Sequence, residues 1–94
     1  MQFAEFINSI ENNAPPAGLP IYLTALWLDA RGDWDGAHKS IDSENDKNSC
    51  WVHAYLHRKE GDIWNADYWY NKAGKKRPDT TLQQEWGNIT RALL

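Results

Sequence analysis

Residues 52–66, VHAYLHRKEGDIWNA, decide the fold when they are laid against residues 23–37, LTALWLDARGDWDGA, at an offset of 29. Ala25 then falls on Ala54, Gly32-Asp33 on Gly61-Asp62 and Ala37 on Ala66; further along, Leu23 meets Val52, Leu26 meets Tyr55 and Ile41 meets Tyr70. Small side chains stand where two helices must approach closely, and large ones stand where they interlock. Glycine supplies a left-handed helix stop, and the aspartate after it caps the next helix. The pattern is one α-hairpin written twice.

Working outward, helical periodicity dominates and strand alternation is nearly absent. Phe3, Phe6, Ile7 and Ile10 are spaced for a short amphipathic helix within residues 1–13. Asn12, Asn13, Pro15, Pro16 and Gly18 end it, and Pro20 suits the first turn of a second helix that runs to about Arg31. Asp33 caps a third helix to about Ser43, so the first hairpin spans residues 20–43. DSENDKNS, residues 42–49, is charged and aperiodic and reads as the longest loop. Asn48 or Ser49 opens a fourth helix that stops at Gly61; Asp62 caps a fifth that ends near Gly74, giving a second hairpin over 49–74. Asp79 or Thr80 caps a sixth helix, residues 80–94, whose Leu82, Trp86, Ile89 and Leu93 form one stripe. The expectation is a single all-α domain of six helices, two stacked hairpins flanked by terminal helices.

With 94 residues there is room for one core. Six Trp, four Tyr and two Phe supply burial that a short chain otherwise lacks. A formal charge of −3 argues against a general binder of nucleic acid or anionic membrane, and Lys75-Lys76-Arg77 beside Pro78 reads as a solvated turn. The single cysteine excludes an intramolecular disulfide framework. The amino-terminal segment reads as mature protein rather than a signal peptide, and no stretch reaches the length of a membrane span. A cytoplasmic protein is the expectation.

The second hairpin resembles a tetratricopeptide repeat. Ala54 matches the small residue of the repeat's first helix, Gly61-Asp62 its turn, Ala66, Tyr70 and Ala73 its second helix, and Pro78 its closing proline. The first hairpin agrees at Ala25, Gly32-Asp33, Ala37 and Ile41 and lacks the proline. The resemblance covers about residues 20–78, and the run from Trp51 to Asp62 is also similar to one in small bacterial proteins without an assigned function. Two departures stand out. His53 and His57 replace apolar or aromatic residues at inward positions, and two hairpins fall short of the three usual in a stable stack. What the resemblance implies is a non-catalytic interaction module, whose first helices line a groove for a protein or peptide. Carried over by position, the groove residues are Tyr22, Leu26 and Asp29, then Trp51, Tyr55, Arg58 and Lys59. An arginine and a lysine among aromatic side chains suit a partner bearing a carboxylate.

A second reading comes from spacing alone. Cys50, His53 and His57 share a face of the fourth helix, and His38 lies on the preceding one. Thiolate and imidazole donors could bind zinc, as a small metal protein or a metal-dependent hydrolase. The same spacing is also the packing stripe of an amphipathic helix, where buried histidines need hydrogen-bond partners such as Asp29, Asp67, Tyr or Trp groups. That bland reading is preferred, and with it no bound cofactor. No G-x-S-x-G, P-loop or glycine-rich dinucleotide turn occurs, so an enzyme is not expected. Trp64 and Tyr68 share the outer side of the fifth helix, pointing to a partner surface and a homodimer.

Overall fold

The computed structural model describes residues 1–94 and contains six helices and no strand: α1 (Phe3–Ser9), α2 (Ile21–Ala30), α3 (Trp34–Ile41), α4 (Lys47–Glu60), α5 (Ile63–Ala73) and α6 (Leu82–Leu93). The all-α expectation holds. α2 packs along α3 and α4 along α5, as two hairpins.

The internal repeat is visible in individual hydrogen bonds. Asp33 N–H donates to Leu28 O at 3.0 Å, and Asp62 N–H to His57 O at 3.0 Å, each closing a helix over a glycine at positive φ, Gly32 at 83° and Gly61 at 92°. A side chain at either glycine would be strained by that backbone angle alone. The aspartates then cap the second helices: Asp33 Oδ1 accepts from Gly36 N–H at 2.9 Å and Asp62 Oδ1 from Asn65 N–H at 3.3 Å. Ala25, Ala37, Ala54 and Ala66, the small residues of the two copies, are all fully buried.

Boundaries differ from the sequence reading at two places. α4 begins at Lys47 because Asp46 is the cap, its Oδ2 accepting from Ser49 N–H at 3.0 Å, so the loop after α3 is shorter than its composition suggests. α6 is capped by Thr81, not by Asp79 or Thr80. Thr81 and Gln84 exchange reciprocal side-chain-to-backbone hydrogen bonds of 3.1 and 3.0 Å, a capping box; Asp79 has Leu82 three positions on and cannot form one, and Thr80, followed three positions on by Gln83, does not form one in the structure.

Phe6, Leu23, Leu26, Trp27, Ile41, Val52, Tyr55, Leu56 and Ile89 form the main core, drawn from every helix except α5. α5 rests on α4 through a separate small cluster of Ala54, Ala66 and Tyr70. It is therefore an outer wall, which leaves Trp64 81% exposed and Ile63 and Tyr68 exposed beside it. α6 lies across α2 and α4. Trp86 Nε1–H donates to Leu26 O at 3.0 Å, and Phe6 packs 6.1 Å from the Trp86 ring, which brings α1 onto the same surface.

The tie between α6 and the hairpins is ionic. Glu85, buried on α6, accepts from Arg58 Nη1 at 2.8 Å and from the Tyr70 hydroxyl at 2.5 Å, while Arg58 Nη2 donates to the Thr80 carbonyl. Burial together with the Glu85 contact pushes the Tyr70 hydroxyl well above the ordinary phenol range, so it stays a donor. Glu85→Ala is expected to destabilise the fold by about 3 kcal/mol, because the guanidinium and hydroxyl are left without a partner in a dry site. Replacing the whole network with Arg58→Met, Tyr70→Phe and Glu85→Leu together is expected to cost under about 1 kcal/mol. Urea unfolding of the two variants checks this, and equal losses for the single and the combined replacement would contradict it.

Candidate functional site

His53 and His57 are one turn apart on α4 and share its face towards α3, where His38 meets them. The ring centroids lie 4.9 Å (His38–His53), 5.2 Å (His38–His57) and 4.8 Å (His53–His57) apart. One nitrogen from each ring falls within 4.8 Å of the other two. Indoles clamp the trio from both sides. Trp34 stacks on His38 at 5.0 Å and 7°, held there by its Nε1–H bond of 2.8 Å to the Leu56 carbonyl; Trp69 stacks on His53 at 3.9 Å and 15°. His53 is 1% exposed and His57 is also buried, whereas His38 is part-exposed.

Each imidazole has a different polar environment. His57 Nδ1 lies 2.5 Å from Glu60 Oε2, a carboxylate oxygen that can only accept, so Nδ1 is the donor there, and the Asn65 amide nitrogen is 3.4 Å from Nε2. His53 Nδ1 is buried and has no hydrogen-bond partner. Such an orphan costs about 1–3 kcal/mol in a folded core unless something satisfies it. Burial first, and then the neighbouring His57 and His38, lower the His53 pKa to about 4. His53 is thus neutral at pH 7. His38 Nε2 stands 3.8 Å from Asp42 Oδ1, beyond hydrogen-bond length.

The cluster is therefore His38, His53 and His57, without Cys50. The thiol is fully buried on α4, unpaired, and held protonated by that burial. The partners suggested by composition do not serve the histidines. Asp29 accepts from the Tyr55 hydroxyl at 2.8 Å and from Lys59 Nζ at 2.9 Å, and Asp67 pairs with Arg77 at 2.8 Å. The observed partners are Glu60 and Asn65. His57 and Glu60 at i, i+3 on one helix were readable from spacing, but Asn65 reaches the site only through the α4–α5 turn.

The expected groove residues sit mostly inside the domain. Leu26, Asp29 and Tyr55 are buried; Arg58 is engaged by Glu85 and Lys59 by Asp29. Tyr22 and Trp51 are half-buried, with Lys75 Nζ 4.2 Å above the Trp51 ring. α6 occupies this face and supplies, from within the chain, the carboxylate that Arg58 was expected to take from a partner. What remains is a cleft of about 430 Å³ between α2, α4 and α6, lined by Asp29, Tyr55, Lys59, Leu82, Gln83 and Trp86 among others.

Three imidazoles closing on one point are a donor set for a borderline divalent metal. Comparison with protein-family models, with curated proteins and with solved structures finds no match. The membrane expectation stands only in this form: no helix is long and apolar enough to cross a bilayer.

Metal-free protein is expected to lose stability on acidification in a defined window. The unfolded chain protonates His53 near pH 6.5, but the folded chain does so only near 4, so the native state binds fewer protons between those values. Stability is full above about pH 6.5 and falls by up to about 1.4 kcal/mol per pH unit below it. His53→Gln is expected to flatten the urea midpoint between pH 6.5 and 5; an unchanged slope would show that another group sets it.

Proposed function

We propose that this chain is a non-catalytic binding domain that holds one divalent transition-metal ion, of the Zn2+, Co2+ or Ni2+ kind, between α3 and α4. The observation that carries this reading is the convergence of His38, His53 and His57 within 4.8 Å, with a buried, unpartnered nitrogen on His53. Glu60 supports it. A carboxylate behind an imidazole fixes the ring's tautomer and raises its basicity, the usual arrangement behind a metal-bound histidine. All-nitrogen donors favour these ions over Ca2+ and Mg2+, which require oxygen cages, and the absence of thiolate disfavours soft Cu+. The scaffold is a pair of hairpins of tetratricopeptide-repeat type, in which the two inward histidines take over positions that such repeats give to packing.

Chelator-treated protein without a histidine tag is expected to bind one equivalent of Zn2+ or Co2+ in calorimetry, with a raised melting temperature on loading. His53→Ala is expected to weaken binding at least about 100-fold, and Glu60→Gln about 10–100-fold. Failure of the folded protein to take up either ion at micromolar concentration would overturn the reading.

A second reading concerns α5. Ile63, Trp64 and Tyr68 form an exposed apolar surface on one helix, which favours contact with another protein and, as the sequence suggests, with a second copy. Light scattering over a dilution series is expected to show a dimer that Trp64→Glu dissociates; a monomer at every concentration removes the homodimer.

A further inference from the structure

We infer that Asp42 is the fourth ligand of this ion, so that the site is a closed three-histidine, one-carboxylate centre rather than an open catalytic one. The inference rests on the metal reading above and extends it to a residue outside the histidine trio.

The helical register supports the assignment. His38 and Asp42 are four residues apart; Asp42 directly follows the last residue of α3 and keeps helical backbone angles, φ −56° and ψ −37°. His53 and His57 are four residues apart on α4. Each pair lies on one side of its helix, and the two helices face one another. Helical bundles collect metal ligands in this way, as paired donors one turn apart on neighbouring helices.

Distance separates the two carboxylates near the cluster. Glu60 Oε2 is 2.5 Å from His57 Nδ1, a direct hydrogen bond, so Glu60 orients that ring from behind. Asp42 Oδ1 is 3.8 Å from His38 Nε2, too far for a hydrogen bond. Ligand atoms at about 2.0–2.2 Å from one tetrahedral metal lie about 3.3–3.6 Å from each other. Asp42 and His38 are thus within a few tenths of an ångström of the spacing that a shared ion would impose.

Asp42 is also free to move there. Its side chain is 65% exposed and has no other hydrogen bond or ion pair, so little holds it in its present rotamer. The other nearby acids are committed: Asp46 caps α4, Asp62 caps α5, and Glu60 holds His57. Asp42 and Cys50 both stand outside the converging set in their present rotamers, but Cys50 is fully buried and held protonated by that burial, whereas the exposed Asp42 carboxylate is free to swing in beside His38.

A fourth protein ligand removes the position at which a substrate or an activated water would bind, which is the distinction between structural and catalytic zinc sites. It also pins the carboxyl-terminal end of the short helix α3 to the middle of α4.

Cobalt spectroscopy on the full chain tests the assignment. The Co2+-loaded protein is expected to show the intense visible bands of four-coordinate cobalt, unchanged by added azide. Asp42→Asn is expected to retain one equivalent of Co2+ with about 10–100-fold weaker binding, weaker bands and a new sensitivity to azide; Asp42→His restores tight binding and azide resistance. If the unaltered protein binds Co2+ and Asp42→Asn matches it in affinity and spectrum, Asp42 is not a ligand and the three-histidine reading stands. Azide-sensitive bands in the unaltered protein would likewise overturn the closed site. If no Co2+ binds at all, the metal reading itself fails. Circular dichroism of Asp42→Asn, at an exposed position, confirms that the variant is folded.

Discussion

Glu85 is a carboxylate buried on α6 between Arg58 of α4 and Tyr70 of α5, and the rest of the arrangement depends on it. A charge in that position requires a partner, because an isolated buried carboxylate is far less stable than a solvated one. Meeting the requirement brings α6 down onto α4. Trp86 then reaches the Leu26 carbonyl on α2, and Phe6 of α1 closes over Trp86. One ion pair therefore helps to order the two helices outside the hairpins, α6 directly and α1 through Trp86.

The same tie divides α4 by function. One side, carrying Tyr55, Arg58 and Lys59, is consumed by Glu85 and Asp29 and lies beneath or beside α6. The other side carries His53 and His57 and meets α3. A groove that would accept an outside carboxylate is satisfied internally. The face expected to be mere packing carries an unpartnered imidazole nitrogen, on His53. Polar groups in a core are normally paired, so the orphan nitrogen of His53 is the more informative feature.

Burial and mutual repulsion keep His53 neutral at physiological pH, and a neutral imidazole offers the lone pair that a metal needs. The two indoles, Trp34 and Trp69, limit how the rings can turn without competing for their nitrogens. The cluster is thereby oriented and partly sheltered from water by apolar surface, with His38 as its only half-open member.

Much of the fold was determined by sequence alone. The 29-residue repeat, its Gly-Asp turns and its small residues Ala25, Ala37, Ala54 and Ala66 act through local backbone geometry and close helix approach, both of which leave a direct mark in residue type. The exposure of Trp64 and Tyr68 followed from helical phase in the same way. Start positions at Asp46 and Thr81 were harder to read because several capping residues stand side by side, and hydrogen bonds to Ser49 and Gln84 decide among them. Tertiary structure decided the rest. Spacing could align His53 with His57, but only α3 against α4 brings His38 to them and leaves Cys50 out. Nothing in the sequence of α6 shows that its Glu85 will occupy the site of Arg58, since that contact joins residues far apart along the chain and exists only once the helices are packed.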